Sequence, residues 1–214
     1  MATPSDDLTG RLSTTSSHRT GGGIVIDIGT GDGRFVYQNA RRNPDKFYIG
    51  IDPSPRPLAK ISEKIHRRPE KGGLANVLFI QAAVEDLPSE LDAVADELHV
   101  HFPWGGLLKA VAIGDGVVLG NLRRMCASDA LLEVIIGIDA DRDRSEIERL
   151  GLQELSISFL DSVLAPRYRA AGFEVLERGE LPSSEWPSLR TTWAERLRRS
   201  ASRSIIYIIA RASL

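Results

Sequence analysis

Two carboxylates and three alternating glycines crowd into one short stretch, Asp27-Ile28-Gly29-Thr30-Gly31-Asp32-Gly33. Glycines at this spacing let backbone N–H groups approach a ligand that a Cβ would hold off. The pattern is G-x-G-x-G rather than G-x-G-x-x-G, and acids beside the loop are poor company for a pyrophosphate. A cationic or zwitterionic ligand tolerates them. Asp52 follows about twenty residues beyond the glycines, where a carboxylate can accept from a ribose hydroxyl pair. Glu85 lies just past another apolar run, near where an adenine amino group would lie; it reads equally as a capping or surface acid.

S-adenosylmethionine carries an ammonium and a sulfonium, so it suits this loop better than NAD does. A dehydrogenase and a non-catalytic nucleotide fold are the competing readings. Trp104 sits between Pro103 and Gly105-Gly106, and an aromatic on such a loop can stack a base. The plain alternative is a Trp that plugs the adjacent helix. Trp193 opens a second constellation, with Arg196, Arg198, Arg199 and Arg203 following it and Glu195 as the local counter-charge. Aromatics interleaved with arginine forks bind RNA phosphates and stack bases; a core Trp with solvated arginines is the alternative. A third cluster, Lys60, Lys64, Arg67, Arg68 and Lys71, is diluted by Glu63 and Glu70. It reads as a phosphate-binding patch or as a solvated helix end, where cations are favoured anyway. His99 and His101 alternate on a strand with no metal-ligand partner nearby in sequence, so no metal site is expected.

The elements that must hold these groups follow from periodicity. Ile24–Ile28 is a β-branched run of the kind found in buried parallel strands. Arg34 to Arg42 has helical spacing, with Phe35, Val36, Tyr37 and Ala40 available for burial. Lys46–Asp52 is the next strand. A helix opens at Pro53-Ser54-Pro55 and runs to about Arg68 on Leu58, Ile61 and Ile65, until Pro69 stops it. Val77–Ile80 and Glu97–Phe102 are strands three and four. Leu107–Met125 is helical, with a break at Gly114-Asp115-Gly116. Ala130–Ile138 is a central strand, and Asp139–Arg149 a charged loop and helix facing solvent. Ser158–Ala171 is a helix closed by Gly172. Phe173–Leu176 and Ser204–Ala210 are the last strands. The expected fold is α/β, a seven-stranded Rossmann-like sheet of the class I S-adenosylmethionine-dependent methyltransferase kind with its last strand antiparallel.

Bulk properties narrow the class. A chain of 214 residues with 42% hydrophobic content has length for one domain and its core. Residues 1–23 are rich in Ser, Thr and Gly and read as a flexible segment. Residues 24–214 form the domain, with insertions expected near 60–74, 139–170 and 182–203. No apolar run reaches a membrane span, and no signal peptide is evident. The single cysteine, Cys126, fits a reducing compartment. A soluble, cytoplasmic monomer is expected. The net charge of −2 gives no global attraction to nucleic acid, so an RNA partner would depend on the local basic patches.

Taken together, the stretches Asp27-Ile28-Gly29-Thr30-Gly31-Asp32-Gly33-Arg34, Phe47-Tyr48-Ile49-Gly50-Ile51-Asp52-Pro53, Lys71-Gly72-Gly73-Leu74, Phe102-Pro103-Trp104-Gly105 and Trp193 with Arg196-Leu197 resemble the aminoglycoside-resistance 16S rRNA methyltransferases that act on N1 of adenine 1408. The first two recur in many methyltransferases. The Trp motifs and the Lys-Gly-Gly-Leu loop are more specific. The resemblance implies S-adenosylmethionine contacts at Asp27, Gly29, Thr30, Gly31, Asp52, Val84, Glu85, the stretch His101-Phe102-Pro103-Trp104, and Thr191. It implies that Trp104 and Trp193 clamp the flipped adenine, with the Pro103 carbonyl accepting from its amino group. It also implies that Lys64, Arg67, Arg68, Lys71, Arg196, Arg198, Arg199 and Arg203 hold rRNA on the 30S subunit. The chain departs from the family at Gly106, where a Ser or Thr is usual, and at Ala201, where a second Arg is usual. A tRNA guanine-N7 methyltransferase shares the opening unit but places Asp before its Pro-Trp, where Phe102 stands here. A non-catalytic RNA-binding module is the remaining alternative.

Overall fold

The computed structural model describes residues 22–182 and 204–213. In chain order the elements are β1 (Ile24–Ile28), α1 (Arg34–Arg42), β2 (Phe47–Asp52), α2 (Pro55–Ile65), β3 (Val77–Gln81), β4 (Ala95–His101), α3 (Gly105–Ile113), α4 (Gly116–Met125), β5 (Cys126–Ile136) and α5 (Arg144–Leu150). Then come α6 (Ile157–Phe159, continued through a π turn at Leu160–Leu164 into Ala165–Ala170), β6 (Phe173–Pro182) and β7 (Ser204–Ala212). The strands make one sheet in the order β3-β2-β1-β4-β5-β7-β6. β1 to β5 pair in parallel, and β7 runs antiparallel between β5 and β6. This is the expected α/β architecture.

Alternation along the strands sorts side chains onto two faces. Ile26, Ile28, Leu98, Val100, Leu132 and Val134 enter the larger core with α3, α4 and α6. Val25 and Tyr48 enter a smaller core with Val36, Tyr37 and Ala40 of α1 and Ile65 of α2. Each Val, Leu or Ile among them contributes about 1.5–3 kcal/mol when fully buried. On this second face the central strands carry Asp27, Glu97, His99, His101 and Glu133, all wholly or largely buried.

Several element limits differ from the sequence expectation, each for a local reason. α2 stops at Ile65 rather than near Arg68. Arg68 precedes Pro69 and is extended, with ψ 149°, because a following proline disfavours the α region. β5 begins at Cys126, across a polar Ser128-Asp129 stretch with Asp129 at φ 61° and an irregular register against β4. β6 continues to Pro182, its charged outer half held in register by β7. The π turn in α6 precedes Pro166, which has no N–H to return to the helical ladder. The expected break between α3 and α4 is a 94° bend. There Asp115 caps α4 by accepting from the Val117 and Val118 amides, each at 3.0 Å. Among the described residues no single helix is long and apolar enough to cross a membrane.

Candidate active site

The parallel strands end on a cavity of about 520 Å³, a size suited to a small-molecule ligand. It opens at the switch in strand order between β1 and β4, the usual binding crevice of such sheets. Asp27 to Asp32 form one wall, Ile51 to Pro53 a second, Ala82 to Glu85 a third, and His101 to Trp104 the fourth. Every described residue expected at the cofactor lines this space: Asp27, Gly29, Thr30, Gly31, Asp52, Val84, Glu85, His101, Phe102, Pro103 and Trp104. Thr191 lies outside the described residues, as do Trp193, Arg196, Arg198, Arg199, Ala201 and Arg203.

The glycine loop is shaped by backbone. Gly29, Gly31 and Gly33 have φ of 73°, 59° and 70°, a region that favours glycine. A Cβ on Gly33 would stand 2.7 Å from the Phe79 ring, and one on Gly29 2.8 Å from Leu107. The loop is stapled to β2. The Gly29 and Thr30 amides donate to the Ile51 carbonyl at 2.8 and 3.1 Å, and the Gly31 amide donates to Asp52 Oδ2 at 2.9 Å. Asp52 Oδ1 accepts from the Ser54 amide at 2.8 Å. Asp52 thus orients the loop, and each of its oxygens keeps a lone pair for a ligand hydroxyl. On the third wall, Asn121 Nδ2 donates to the Val84 carbonyl at 3.0 Å, which fixes the turn carrying Val84 and Glu85.

Trp104 stands at the rim, 47% exposed. It is the N-cap residue of α3 and follows a strained turn. Phe102 holds φ 50° although it is not glycine, while its amide donates to the Ile135 carbonyl at 2.7 Å. Such strain persists only where the surroundings enforce it, and it gathers at functional sites. The indole is a rim feature and does not plug the helix. Gly106, beside it, is exposed, and a Cβ there would meet nothing within 4 Å.

Behind the cavity lies the group that sequence reading missed. The parallel register sets Asp27 beside His99 and His99 beside Glu133. His101 Nε2 lies 2.5 Å and His99 Nδ1 3.3 Å from Glu133 Oε1. The two imidazole nitrogens are 3.1 Å apart. His99 Nε2 is 3.7 Å from Glu97 Oε2, and the other Glu97 oxygen accepts from Lys46 Nζ at 2.6 Å. Phe35, expected only as a packing residue, sets its ring edge-on to His101 and tilted against His99, at 4.8 and 5.4 Å between centroids. The expectation that the histidines lack a partner is therefore corrected: β5 supplies Glu133. Only an apolar run broken by one acid marked it in the sequence.

Burial sets the ionisation here. It raises the Asp27 carboxyl above its ordinary range, against the pull of His101 and His99. Burial also acts to lower His99, but hydrogen bonds to Glu133 and Glu97 overcome it and hold that imidazole up at about 10. Burial works against Glu133 and Glu97 too. The histidines, and Lys46 for Glu97, outweigh it and depress both, Glu97 to about 2.

The described residues of the expected rRNA-binding set, Lys64, Arg67, Arg68 and Lys71, do not line the cavity. The first turn of α2 reaches the cavity at Pro57, and Lys64 lies about 10 Å further along the helix axis. Lys64 Nζ stands 4.2 Å over the Tyr37 ring. The Tyr37 hydroxyl donates to the Gly72 carbonyl at 2.9 Å, which ties the Lys71-Gly72-Gly73 loop to α1. Arg67 pairs with Glu63 at 2.7 Å, and Arg68 and Lys71 are exposed.

The pocket fits S-adenosylmethionine. A buried carboxylate faces where an ammonium can lie, glycines leave room for a close approach, and the buried Nδ1 of His101 has no hydrogen-bond partner among the described residues. Fold and site together define a class I S-adenosylmethionine-dependent methyltransferase. The family model described as "NpmA: 16S rRNA (adenine(1408)-N(1))-methyltransferase" matches residues 11–212. A 16S rRNA (adenine(1408)-N(1))-methyltransferase from Escherichia coli is 36% identical over 194 residues, covering 89% of this chain and 87% of that protein. The crystal structure of the aminoglycoside resistance methyltransferase NpmB1 superposes with TM-score 0.77 at 42% identity, covering 95% and 92% of the two chains. The 16S rRNA (adenine(1408)-N(1))-methyltransferase from Catenulisporales acidiphilia, as a tryptophan-to-alanine variant with cosubstrate S-adenosylmethionine, superposes with TM-score 0.82 at 30% identity over 96% and 91%. The chain belongs to the 16S rRNA (adenine(1408)-N(1))-methyltransferase family.

Proposed function

We propose that this chain methylates N1 of adenine 1408 in 16S rRNA, on the 30S subunit, and thereby confers aminoglycoside resistance. The observation that carries this reading is the half-exposed Trp104 indole on a strained turn, at the mouth of a cavity whose wall holds a buried carboxylate. S-adenosylmethionine supplies an electrophilic methyl group, which the free lone pair of adenine N1 can take without prior loss of a proton. No side-chain base is then demanded, and the protein's contribution is to position and to exclude water.

Asp27, the glycine loop, Asp52, Val84 and Glu85 hold the cofactor, together with the His101–Trp104 turn and Thr191. Extruding the base costs a few kcal/mol, and stacking returns about 1–3 kcal/mol per base on an aromatic face. Trp104 and Trp193, one from each side, offset that cost. The Pro103 carbonyl accepts from the adenine amino group and orients the ring. Lys64, Arg67, Arg68 and Lys71 dock the rRNA with Arg196, Arg198, Arg199 and Arg203, and the enzyme acts as a monomer. Incubation with 30S subunits and S-adenosylmethionine should produce a primer-extension stop at adenine 1408. A stop elsewhere, or tight 30S binding with no stop, would refute the assignment.

A further inference from the structure

The row Asp27–His99–Glu133 crosses three neighbouring strands and ends, through Asp27 and His101, on the cavity wall. Its charges do not balance unless the histidines take part. Asp27, Glu97 and Glu133 bring three carboxylates into one buried patch, and among the described residues Lys46 is the one lysine or arginine paired there, on Glu97. Among the described residues, the elements around Asp27 place no further cation against it. β2 sets Gly50 directly beside it, with Asp52 and Tyr48 further along; Asp32 lies on the same cavity wall, paired with Arg34 of α1 at 3.4 Å; and α1 also contributes the Phe35 ring. Two carboxylates are left over, and there are two imidazoles. Each sets a ring nitrogen against Glu133, and His99 also faces Glu97.

We propose that His99, held protonated between Glu133 and Glu97, is the counter-charge that keeps Asp27 ionised and so sets the lower pH limit of cofactor binding. This rests on the reading of Asp27 as a cofactor ligand. Burial by itself favours a neutral Asp27 carboxyl, which would offer a cofactor ammonium no charge. His99, its direct cross-strand neighbour, opposes that. His99 acts here as a positioning residue, because it reaches the cofactor only through Asp27. His101 does both: it lines the cavity, its Nδ1 without a hydrogen-bond partner among the described residues, and it anchors Glu133 with its Nε2.

The test is S-adenosylmethionine affinity by calorimetry from pH 5 to 9, with thermal unfolding at each pH, for wild type, Asp27→Asn, His99→Gln and His99→Lys. Asp27→Asn should bind weakly at every pH and show no acid limb. His99→Gln should move the acid limb up by about one pH unit, and His99→Lys, which restores the charge, should move it back. A merely structural role would lower stability in both His99 variants without this opposite behaviour. In wild type, the His99 ring resonances should not titrate between pH 6 and 8.5. An unmoved limb in folded His99→Gln beside a weakened Asp27→Asn would overturn the proposal and leave the Asp27 reading intact. Wild-type affinity in Asp27→Asn would overturn that reading itself. Titration of His99 near its ordinary value, or one tightly retained zinc per chain, would show that protons do not supply the charge.

Discussion

Trp104 earns its place by exposure: its indole meets the solvent side of the cavity rather than the core. Trp104→Ala should therefore fold and bind cofactor within a few-fold of wild type. Losing one stacking face, about 1–3 kcal/mol, should lower methylation of 30S subunits by about ten- to a hundredfold. Calorimetry with S-adenosylmethionine beside a tritium-methyl transfer assay separates the two effects. Gly106 is the opposite case, a missing group with room for one. It is exposed, its φ lies outside the left-handed region, and a Cβ there meets open space. Gly106→Ser should be accommodated without strain and offer the cavity a hydroxyl, tightening cofactor binding about two- to tenfold for one added hydrogen bond. An unchanged Kd would mean that the hydroxyl does not reach the ligand.

At the scale of elements, two pairings decide how firmly the site is held. α5 docks on the first turn of α3, where the Glu146 carboxylate is held low by Arg149 and also by the Gly105 amide. Glu146 is buried, although the helix was expected to face solvent. Glu146→Ala should loosen the Trp104-Gly105 turn, lowering turnover with little change in cofactor Kd; kcat and Kd measured side by side check this. The β4–β5 pairing carries the histidine network, and its stability has a defined pH window. His99, raised from 6.5 to about 10, contributes fully below pH 6.5 and loses that contribution as pH rises toward 10. Glu133 and Glu97, both lowered from 4.5, contribute fully above pH 4.5 and lose it as pH falls. The network is worth most between those limits. The unfolding free energy of wild type should exceed that of Glu133→Gln most near pH 5.5, with a smaller gap at pH 9, as read by urea denaturation.

For the whole molecule, the separation between cavity and basic loop implies a division of labour. With a net charge of −2, the 30S binding of the proposed function would depend on patches rather than on the global field. Binding should weaken steeply with salt. Arg67→Glu with Arg68→Glu should weaken it and flatten that slope, with cofactor affinity unchanged. Filter binding across a salt series, beside calorimetry, reads both, and a flat wild-type slope would remove the basic loop from the rRNA interface.

Much of this was legible along the chain because it depends on neighbours in sequence. β-branched runs, the glycine spacing and the proline and glycine stops determined most elements, and the acids near the ends of β1 and β2 marked two walls of the cavity. Local sterics and side-chain alternation operate over a few residues, so a linear reading captures them. The ends of α2, β5 and β6 were less legible, because prolines and polar residues there are overruled by a neighbouring strand or by the residue that follows. What only the tertiary structure decided is the charge balance behind the site. Glu133 is 34 residues from His99, and nothing local to either residue announces the other. Parallel register alone brings them into one buried row with Asp27, where the low dielectric makes each charge answerable to the next.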